Sequence, residues 1–276
     1  MTDAAPTNDA HVVLYRVHMA YGDRTVFSDL TCSFPRGKIS VILGGSGSGK
    51  STILRLIGGL VGARSGRVLV EGDDVSRLGD RGLYAVRRKL GMMFQGGALL
   101  DSLSVFDNVA FPLREHSELG EADIADAVHD RLAAVGLGEV DRLLPGELSG
   151  GMVKRVALAR ALMHNPVIVL VDEAFSGLDP VSIKLIEALL VRINRKFGMT
   201  MILVSHHIPS TLRMADHVAL LLPGLFVEGS PAELMASEEP RVQRFLNEDV
   251  EDSDEVLENA DQFESEIAPR DQARNS

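Results

Sequence analysis

The segment that most constrains this chain is a glycine-rich loop, which follows an apolar run at residues 39–43 and precedes a helical pattern at 52–60. The loop matches the pattern G-x4-G-K-[ST]. Glycines let successive backbone N–H groups turn inward around phosphate oxygens, and the dipole of the following helix favours the anion. The sequence therefore predicts a phosphate-binding loop made of Gly44, Gly45, Ser46, Gly47, Ser48, Gly49, Lys50, Ser51 and Thr52.

Two side chains of this loop carry specific predictions. Lys50 is expected to reach the β and γ phosphates of a nucleotide, and Ser51 is expected to ligate Mg2+. The alternative interpretation is a glycine-rich turn with an incidental lysine. We disfavour it because the pattern and its place between a strand and a helix coincide. ATP and Mg2+ are the cofactors predicted.

A pair of acids follows a second apolar run, at residues 167–171. If that run is a strand of a parallel sheet, Asp172 and Glu173 lie at its carboxyl end, where such sheets bind ligands. Asp172 is predicted to hold Mg2+ indirectly, and Glu173 to orient or deprotonate the attacking water. Alone, such a pair is more often a solvated turn. The phosphate-binding loop favours the catalytic interpretation.

The surrounding patterns predict an α/β fold with a mostly parallel central sheet. Short β runs occupy the first third of the chain, at 11–18, 25–34, 38–43 and 66–71. Helical patterns follow at 122–135 and 149–164. A strand, a helix and a strand are then predicted at 167–171, 181–197 and 199–204, which is the pattern of a parallel βαβ unit. The pattern weakens from residue 241.

Composition limits where the chain works and what it binds. No apolar run approaches the roughly 20 residues that span a bilayer, and residues 1–10 do not read as a signal peptide, so we expect a cytosolic chain. Residues 248–276 contain eleven acids against two arginines and hold −9 of the net charge of −11. The body is nearly neutral, which disfavours a nucleic-acid partner. The acidic extension at 248–276 is interpreted as solvated or partner-bound.

A further motif, Leu148-Ser149-Gly150-Gly151-Met152, directly precedes the helical residues 153–164. Ser149 and the two glycines at a helix N-terminus form a second anion-binding turn. The motif resembles the signature of ATP-binding cassette (ABC) ATPases. That resemblance implies a head-to-tail homodimer, in which each ATP lies between residues 44–52 of one copy and Ser149, Gly150 and Gly151 of the other.

The resemblance extends to four more residues. It implies that Tyr21 stacks on adenine, that Gln95 contacts Mg2+ and the attacking water, that Asp179 lies in a turn at the nucleotide, and that His206 contacts the γ-phosphate. In isolation Tyr21 and Gln95 could be turn or loop residues, and His206 could be a structural histidine. The order of the motifs favours the site interpretation.

Family resemblance also sets the expected domain organisation. It implies an ABC ATPase domain at 11–247 with an N-terminal antiparallel β subdomain and a helical subdomain at about 96–164. Gly45, Ala174 and His207 depart from common family residues, namely proline, proline and aspartate. These departures change loop geometry and remove no chemical group, so a competent ATPase is expected.

Residues 94–116, 228–234 and 240–246 are similar to the ATPase of Mla-type phospholipid transporters of Gram-negative envelopes. This implies an integral membrane permease, a small STAS-domain subunit and, indirectly, a periplasmic MCE lipid-binding protein. It places the chain at the cytoplasmic face of the inner membrane, serving phospholipid transport for outer-membrane lipid asymmetry. A permease groove or ordinary core is predicted from seven apolar residues: Leu99, Leu100, Leu103, Val105, Phe106, Val109 and Phe111.

Three other functions stay open at this point. An ABC importer for amino acids or another small solute shares all the catalytic motifs. A soluble ABC ATPase acting on DNA or ribosomes would require coiled coils, tandem cassettes or basic surfaces. A P-loop kinase would have no reason to carry residues 148–152.

Overall fold

A computed structural model describes residues 9–247 of the chain. Ten strands form two sheets, and the expected α/β class is confirmed. The strands are β1 (Ala10–Tyr21), β2 (Arg24–Pro35), β3 (Ile39–Gly44), β4 (Ser65–Val70), β5 (Asp73–Asp74), β6 (Leu90–Met93), β7 (Ile168–Asp172), β8 (Thr200–Val204), β9 (His217–Leu222) and β10 (Leu225–Gly229).

The two sheets differ in direction and burial. The first has the order β2-β1-β4-β5 and is antiparallel. The second has the order β10-β9-β3-β8-β7-β6 and is parallel except at the β9–β10 pair. Every residue of β3, β7 and β8 is buried. This accounts for their continuous apolar runs, because central strands of a parallel sheet are covered on both faces.

Eight α-helices are bounded within the described residues. They are α1 (Lys50–Ile57), α2 (Asp80–Arg87), α3 (Val105–His116), α4 (Glu121–Ala134), α5 (Gly150–Ala161), α6 (Pro180–Phe197), α7 (Ile208–Met214) and α8 (Pro231–Met235). None of them is both long and apolar enough to cross a bilayer. Helix α1 ends earlier than predicted, since Gly58 caps it and Gly59 turns left-handed with φ 61°.

Helix α3 packs on α4 and α5, and its apolar residues divide between two roles. Val105 and Val109 are fully buried, so of the two alternatives left open for the seven apolar residues these two belong to the core. Leu100 and Phe111 each expose 43% of their surface. Leu99, Leu103 and Phe106 are partly buried, so Leu100 and Phe111 are the most accessible of the seven.

The compact units of the structure separate after Pro231. In the second unit residues 240–247 are helical, although the sequence pattern there is weak. Val242 and Leu246 are buried, four residues apart, on one face of that helix. Gln243 Nε2 donates to the carbonyls of Met235 and Ser237 at 2.9 Å. The acidic extension predicted at 248–276 lies outside the described residues.

Candidate nucleotide-binding and catalytic site

The predicted site residues follow the carboxyl ends of neighbouring parallel strands. The phosphate-binding loop follows β3, Asp172 ends β7, Gln95 lies just beyond β6, and His206 lies just beyond β8. Parallel strands bring their carboxyl ends to a single edge of the sheet. We call this edge, with the five residues Lys50, Gln95, Asp172, Glu173 and His206, the carboxyl edge.

The phosphate-binding loop requires glycine at two of its positions. Gly44 has φ 148°, and a Cβ there would lie 2.3 Å from the carbonyl oxygen of Leu221. Gly49, with φ 98°, caps helix α1, and its Cβ would lie 2.6 Å from Phe27 Cζ. A Cβ on Gly45 would meet nothing within 4 Å, so a larger residue fits that position. The loop geometry thus depends on Gly44 and Gly49.

Lys50 is buried inside this loop, and its Nζ donates to the carbonyls of Gly44 at 2.7 Å and Gly45 at 2.8 Å. Burial lowers the pKa of Lys50, and the nearby carboxylates of Glu173 and Asp172 oppose that shift. The buried hydroxyl of Ser48 has no hydrogen-bond partner within the described structure. A buried ammonium and an unpaired hydroxyl beside a helix N-terminus fit phosphate oxygens.

Ser51 and Asp172 supply the oxygen atoms that a magnesium ion prefers. Ser51 Oγ donates to Asp172 Oδ1 at 2.9 Å, and Asp172 is buried. Burial raises the pKa of Asp172, and the charge of Glu173 raises it further, while the hydrogen bond from Ser51 acts in the opposite direction. A cation at this position would offset the cost of burying the carboxylate.

Glu173 brings together the three residues predicted to be catalytic. Gln95 Nε2 donates to Glu173 Oε2 at 2.6 Å, and His206 Nε2 lies 2.6 Å from Glu173 Oε1. The backbone of Glu173 is left-handed, with φ 52°, which is strained for a residue with a side chain. A carboxylate held by an amide and an imidazole in this way can orient a water molecule or accept a proton from it.

The signature turn, Ser149 to Gly151, forms the N-terminal cap and first residues of helix α5. Ser149 Oγ accepts a hydrogen bond from Met152 N at 3.3 Å. A Cβ on Gly150 would lie 3.5 Å from Leu178 Cδ2, so the signature turn packs beside the loop that contains Asp179. Within residues 9–247, the hydrogen bonds of Lys50 go to Gly44 and Gly45, and none goes to the signature turn or to the loop that contains Asp179.

The remaining predicted residues have simpler surroundings. Tyr21 ends β1 with 43% of its surface exposed, which leaves its ring available for stacking. Asp179 caps helix α6, accepting from Val181 N and Ser182 N at 3.0 Å. The hydroxyl of Ser182 is the main cause that lowers the pKa of Asp179. His207, one of the departures from family residues, caps helix α7 by accepting from Ser210 N at 3.1 Å.

Sequence reasoning missed one residue of this site. Lys154 on helix α5 is only 6% exposed, and its Nζ donates to the carbonyls of Glu173 and Gln95. A lysine in a helical pattern is ordinarily taken as a surface residue. The available signal is its spacing of four residues from Leu158, which places both on the same face of α5.

Fold and site together define a P-loop nucleotide hydrolase with a signature turn on a helical segment. Residues 27–176 match the family model described as ABC transporter. That match covers more than half of the chain, which therefore belongs to the ABC transporter family, as an ATP-hydrolysing subunit.

The curated relatives include transport ATPases of two named kinds. The intermembrane phospholipid transport system ATP-binding protein MlaF of Haemophilus influenzae is 44% identical over 82% of this chain and 86% of its own length. MlaF of Escherichia coli K12 is 42% identical over 84% and 86%. A probable ribonucleotide transport ATP-binding protein, mkl, of Mycobacterium tuberculosis is 41% identical over 83% of this chain and 64% of its own length.

Solved structures show the same cassette. The cbiO1 protein of Clostridium perfringens, described as part of an ABC transporter complex, superimposes with a TM-score of 0.76 at 28% identity, covering 91% of this chain and 100% of that chain. The ATP-binding cassette MJ0796, in a dimeric post-hydrolysis state with ADP and Pi, gives a TM-score of 0.73 at 30% identity, covering 80% and 98%.

Proposed function

We propose that the chain is the ATPase of a phospholipid transporter, in which two copies close around two ATP molecules and drive a membrane permease between two conformations. The observation that carries this proposal is the 42–44% identity to two MlaF proteins over more than four fifths of the chain. A subunit bound to a permease would be peripheral, at the cytoplasmic face of the inner membrane. Maintenance of outer-membrane lipid asymmetry belongs to the same proposal.

The site residues divide the work of binding and hydrolysis. Residues 44–52 would hold the phosphates, and Tyr21 would stack on the adenine. Ser51, Gln95 and Asp172 would hold Mg2+, whose chemistry is to neutralise charge on the phosphate oxygens. Glu173 would accept the proton of the attacking water, because its carboxylate is already oriented by Gln95 and His206.

Dimerisation is part of the proposal because the signature turn has the features of an anion-binding site, and within residues 9–247 its Ser149 side chain is bonded to the first turn of its own helix. The first N–H groups of α5 have no acceptor within the helix and can bind the phosphates of a nucleotide that is held by a second copy of the chain. The dimeric ADP-bound cassette that matches this chain supports two copies. Ser149, Gly150, Gly151 and Asp179 would then complete the partner copy's nucleotide site.

The permease contact is proposed at two exposed apolar residues of the segment that follows Gln95. Leu100 is exposed before α3 and Phe111 is exposed on α3. Asn108 of α3 joins the two segments: its Oδ1 accepts from Leu100 N at 2.7 Å, and its Nδ2 donates to Leu100 O at 3.0 Å. The segment begins at Gln95, so nucleotide state at Gln95 can reach a helix docked on this pair. A STAS-domain subunit and an MCE protein complete the proposed assembly.

Purification of the tagged full chain from membranes of its native host tests the transport class. We expect a permease to copurify with bound phospholipid, identified by mass spectrometry. ATP should accelerate transfer of fluorescent phospholipid in reconstituted vesicles, and Leu100→Asp/Phe111→Asp should abolish copurification while the ATPase rate of the isolated chain is kept. A permease with a small-solute-binding protein and no lipid would contradict the phospholipid proposal.

A second candidate is an ATPase for uptake of a small solute. It is favoured by one observation, the 41% identity to mkl, which is named for ribonucleotide transport. The catalytic residues would be the same in both cases, since the cargo is bound by other subunits. ATPase stimulation of the isolated complex by phospholipid, compared with ribonucleotides or amino acids, separates the two candidates.

A further inference from the structure

Lys154 is a buried cation whose two hydrogen-bond acceptors are main-chain carbonyls. Its Nζ donates to Glu173 O at 2.8 Å and to Gln95 O, and only 6% of the residue is exposed. Burial of a lysine ammonium is unfavourable in free energy, and hydrogen bonds to neutral carbonyls offset that penalty only in part. The contact therefore ties together two main-chain segments, those of the predicted catalytic acid and of the glutamine that faces it.

The main chain of Glu173 is where such a tie has the most effect. Its φ of 52° is unfavourable for a residue other than glycine, and that conformation persists only if its surroundings hold it. Glu173 N donates to Val204 O at 3.0 Å, and Glu173 O accepts from Lys154. Loss of Lys154 would remove one of these two main-chain hydrogen bonds of Glu173.

Helix α5 also holds the residues that follow Gln95. Arg160 donates to Gly97 O and to Ala98 O, both at 2.7 Å. A Cβ on Gly97 would lie 2.9 Å from Val153 Cγ1, so the loop and α5 are in close contact. Consequently α5 and the Gln95 loop are joined at several points, and displacement of one displaces the other.

We propose that Lys154 is a positioning residue for ATP hydrolysis, which fixes the main chains of Glu173 and Gln95 from helix α5 so that their side chains meet. The inference rests on the proposed roles of Glu173 and Gln95. Helix α5 begins in the signature turn, which is proposed to contact the partner copy's nucleotide. Through Lys154, the position of that turn would set the geometry of hydrolysis at the chain's own nucleotide.

The test is the steady-state ATPase of the full chain carrying Lys154→Met, which keeps the length of the side chain and removes its donor. We expect kcat to fall about 10- to 100-fold, because small misplacement of a reacting group has effects of that size. The KM and the affinity for labelled ATP should change less than about threefold, since the two hydrogen bonds that Lys154 makes among residues 9–247 go to Gln95 and Glu173 and not to the phosphate-binding loop. Lys154→Gln retains an N–H donor and should restore part of kcat.

Lys38→Met is the matched control, because Lys38 is exposed just before β3, at the opposite edge of the sheet. A kcat for Lys154→Met within twofold of that control would overturn the proposal. So would parallel loss of kcat and ATP affinity in both Lys154 variants, which indicates a general structural defect. If Lys154→Met does not fold, Lys154→Gln decides alone, because its uncharged side chain is one bond shorter and should hold the two carbonyls less well: reduced kcat at unchanged ATP affinity supports the proposal, and unchanged kcat overturns it.

Glu173→Gln, measured beside these variants, separates this inference from the proposed site. A slow Glu173→Gln with a normal Lys154→Met would overturn the role of Lys154 only. Normal turnover in Glu173→Gln would instead remove the role of Glu173 on which the inference rests.

Discussion

The two edges of the parallel sheet both carry buried ionisable groups, but they use them differently. At the carboxyl edge, Lys50 and Asp172 make hydrogen bonds with the same atoms that would bind a nucleotide and a metal ion. At the other edge, which we call the amino edge, His11 Nδ1 lies 2.6 Å from Thr200 Oγ1 and His11 Nε2 lies 3.1 Å from Glu71 Oε1. The second set joins residues of the two sheets to one another, and its further partners, Arg36, Lys89 and Gly37 N, are also groups of the protein.

The pKa shifts follow this difference. Hydrogen bonding to His11 is the main cause that lowers the pKa of Glu71 to about 2, with help from Lys89 and Arg36. Burial instead raises the pKa of Asp172. The charge of Glu71 is therefore stabilised by its protein partners, whereas the charge of Asp172 is disfavoured by burial, and a bound cation would relieve that cost. Groups at the amino edge should control stability, and groups at the carboxyl edge should control activity.

The largest effect is expected at Glu173. Glu173→Gln keeps the shape and removes the base, so the ATPase rate should fall about 10²- to 10⁴-fold with the melting temperature unchanged. ATP binding should persist, because Lys50 and Ser51 are untouched. Normal turnover in a phosphate-release assay would refute Glu173 as the base.

A smaller effect on binding is expected at Lys50. Lys50→Ala removes a charged hydrogen-bond donor to the phosphates, which is worth about 1.5–3 kcal/mol, or roughly 10- to 100-fold in ATP affinity. Titration with a labelled nucleotide measures this loss. Lys38→Met, at the amino edge, should bind ATP as the wild type does; equal loss in both variants would erase the distinction between the edges.

Glu71 provides the converse test, on stability. Its pKa of about 2 lies below the ordinary value, so the ionised carboxylate stabilises the fold above pH about 4.5, and this contribution is lost as pH falls from there towards 2. Glu71→Gln should lower the free energy of unfolding by about 2 kcal/mol at neutral pH, with kcat kept. Urea unfolding of the wild type and of Glu71→Gln, at neutral pH and near pH 3, measures the free energies. A difference in unfolding free energy between the two proteins that did not change with pH would contradict this account.

Asp172 should show the opposite sign. Its raised pKa means that the buried charge costs stability above the ordinary aspartate pKa, and that this cost is relieved as pH falls through the raised value. Asp172→Asn should therefore melt no lower than the wild type without nucleotide, while Mg2+-dependent ATP binding weakens several-fold. A lower melting temperature without nucleotide would place Asp172 with the structural groups.

The residues predicted for the site lie together at the carboxyl edge, whereas the contacts that support them from helix α5 were not predicted. Gly44 and Gly49 are required by the local backbone conformation, and a requirement of this kind appears in the sequence as a motif with fixed spacing. The burial of Lys154 depends on where Gln95 and Glu173 lie in space, and no local pattern encodes that contact. The same holds for Val105 and Val109, whose place in the core is set by packing of α3 on its neighbours.

Composite nucleotide sites are the central claim, and the mass of Glu173→Gln in solution tests it most directly. With ATP and Mg2+, light scattering should give twice the mass of one chain and one ATP per chain, and with ADP a single chain. Adding Gly151→Asp, which places a negative charge in the signature turn, should abolish the doubling, whereas Gly151→Ala, whose Cβ meets Ser182 Oγ at an ordinary 3.5 Å, should keep it. A single-chain mass at saturating bound ATP would contradict the account.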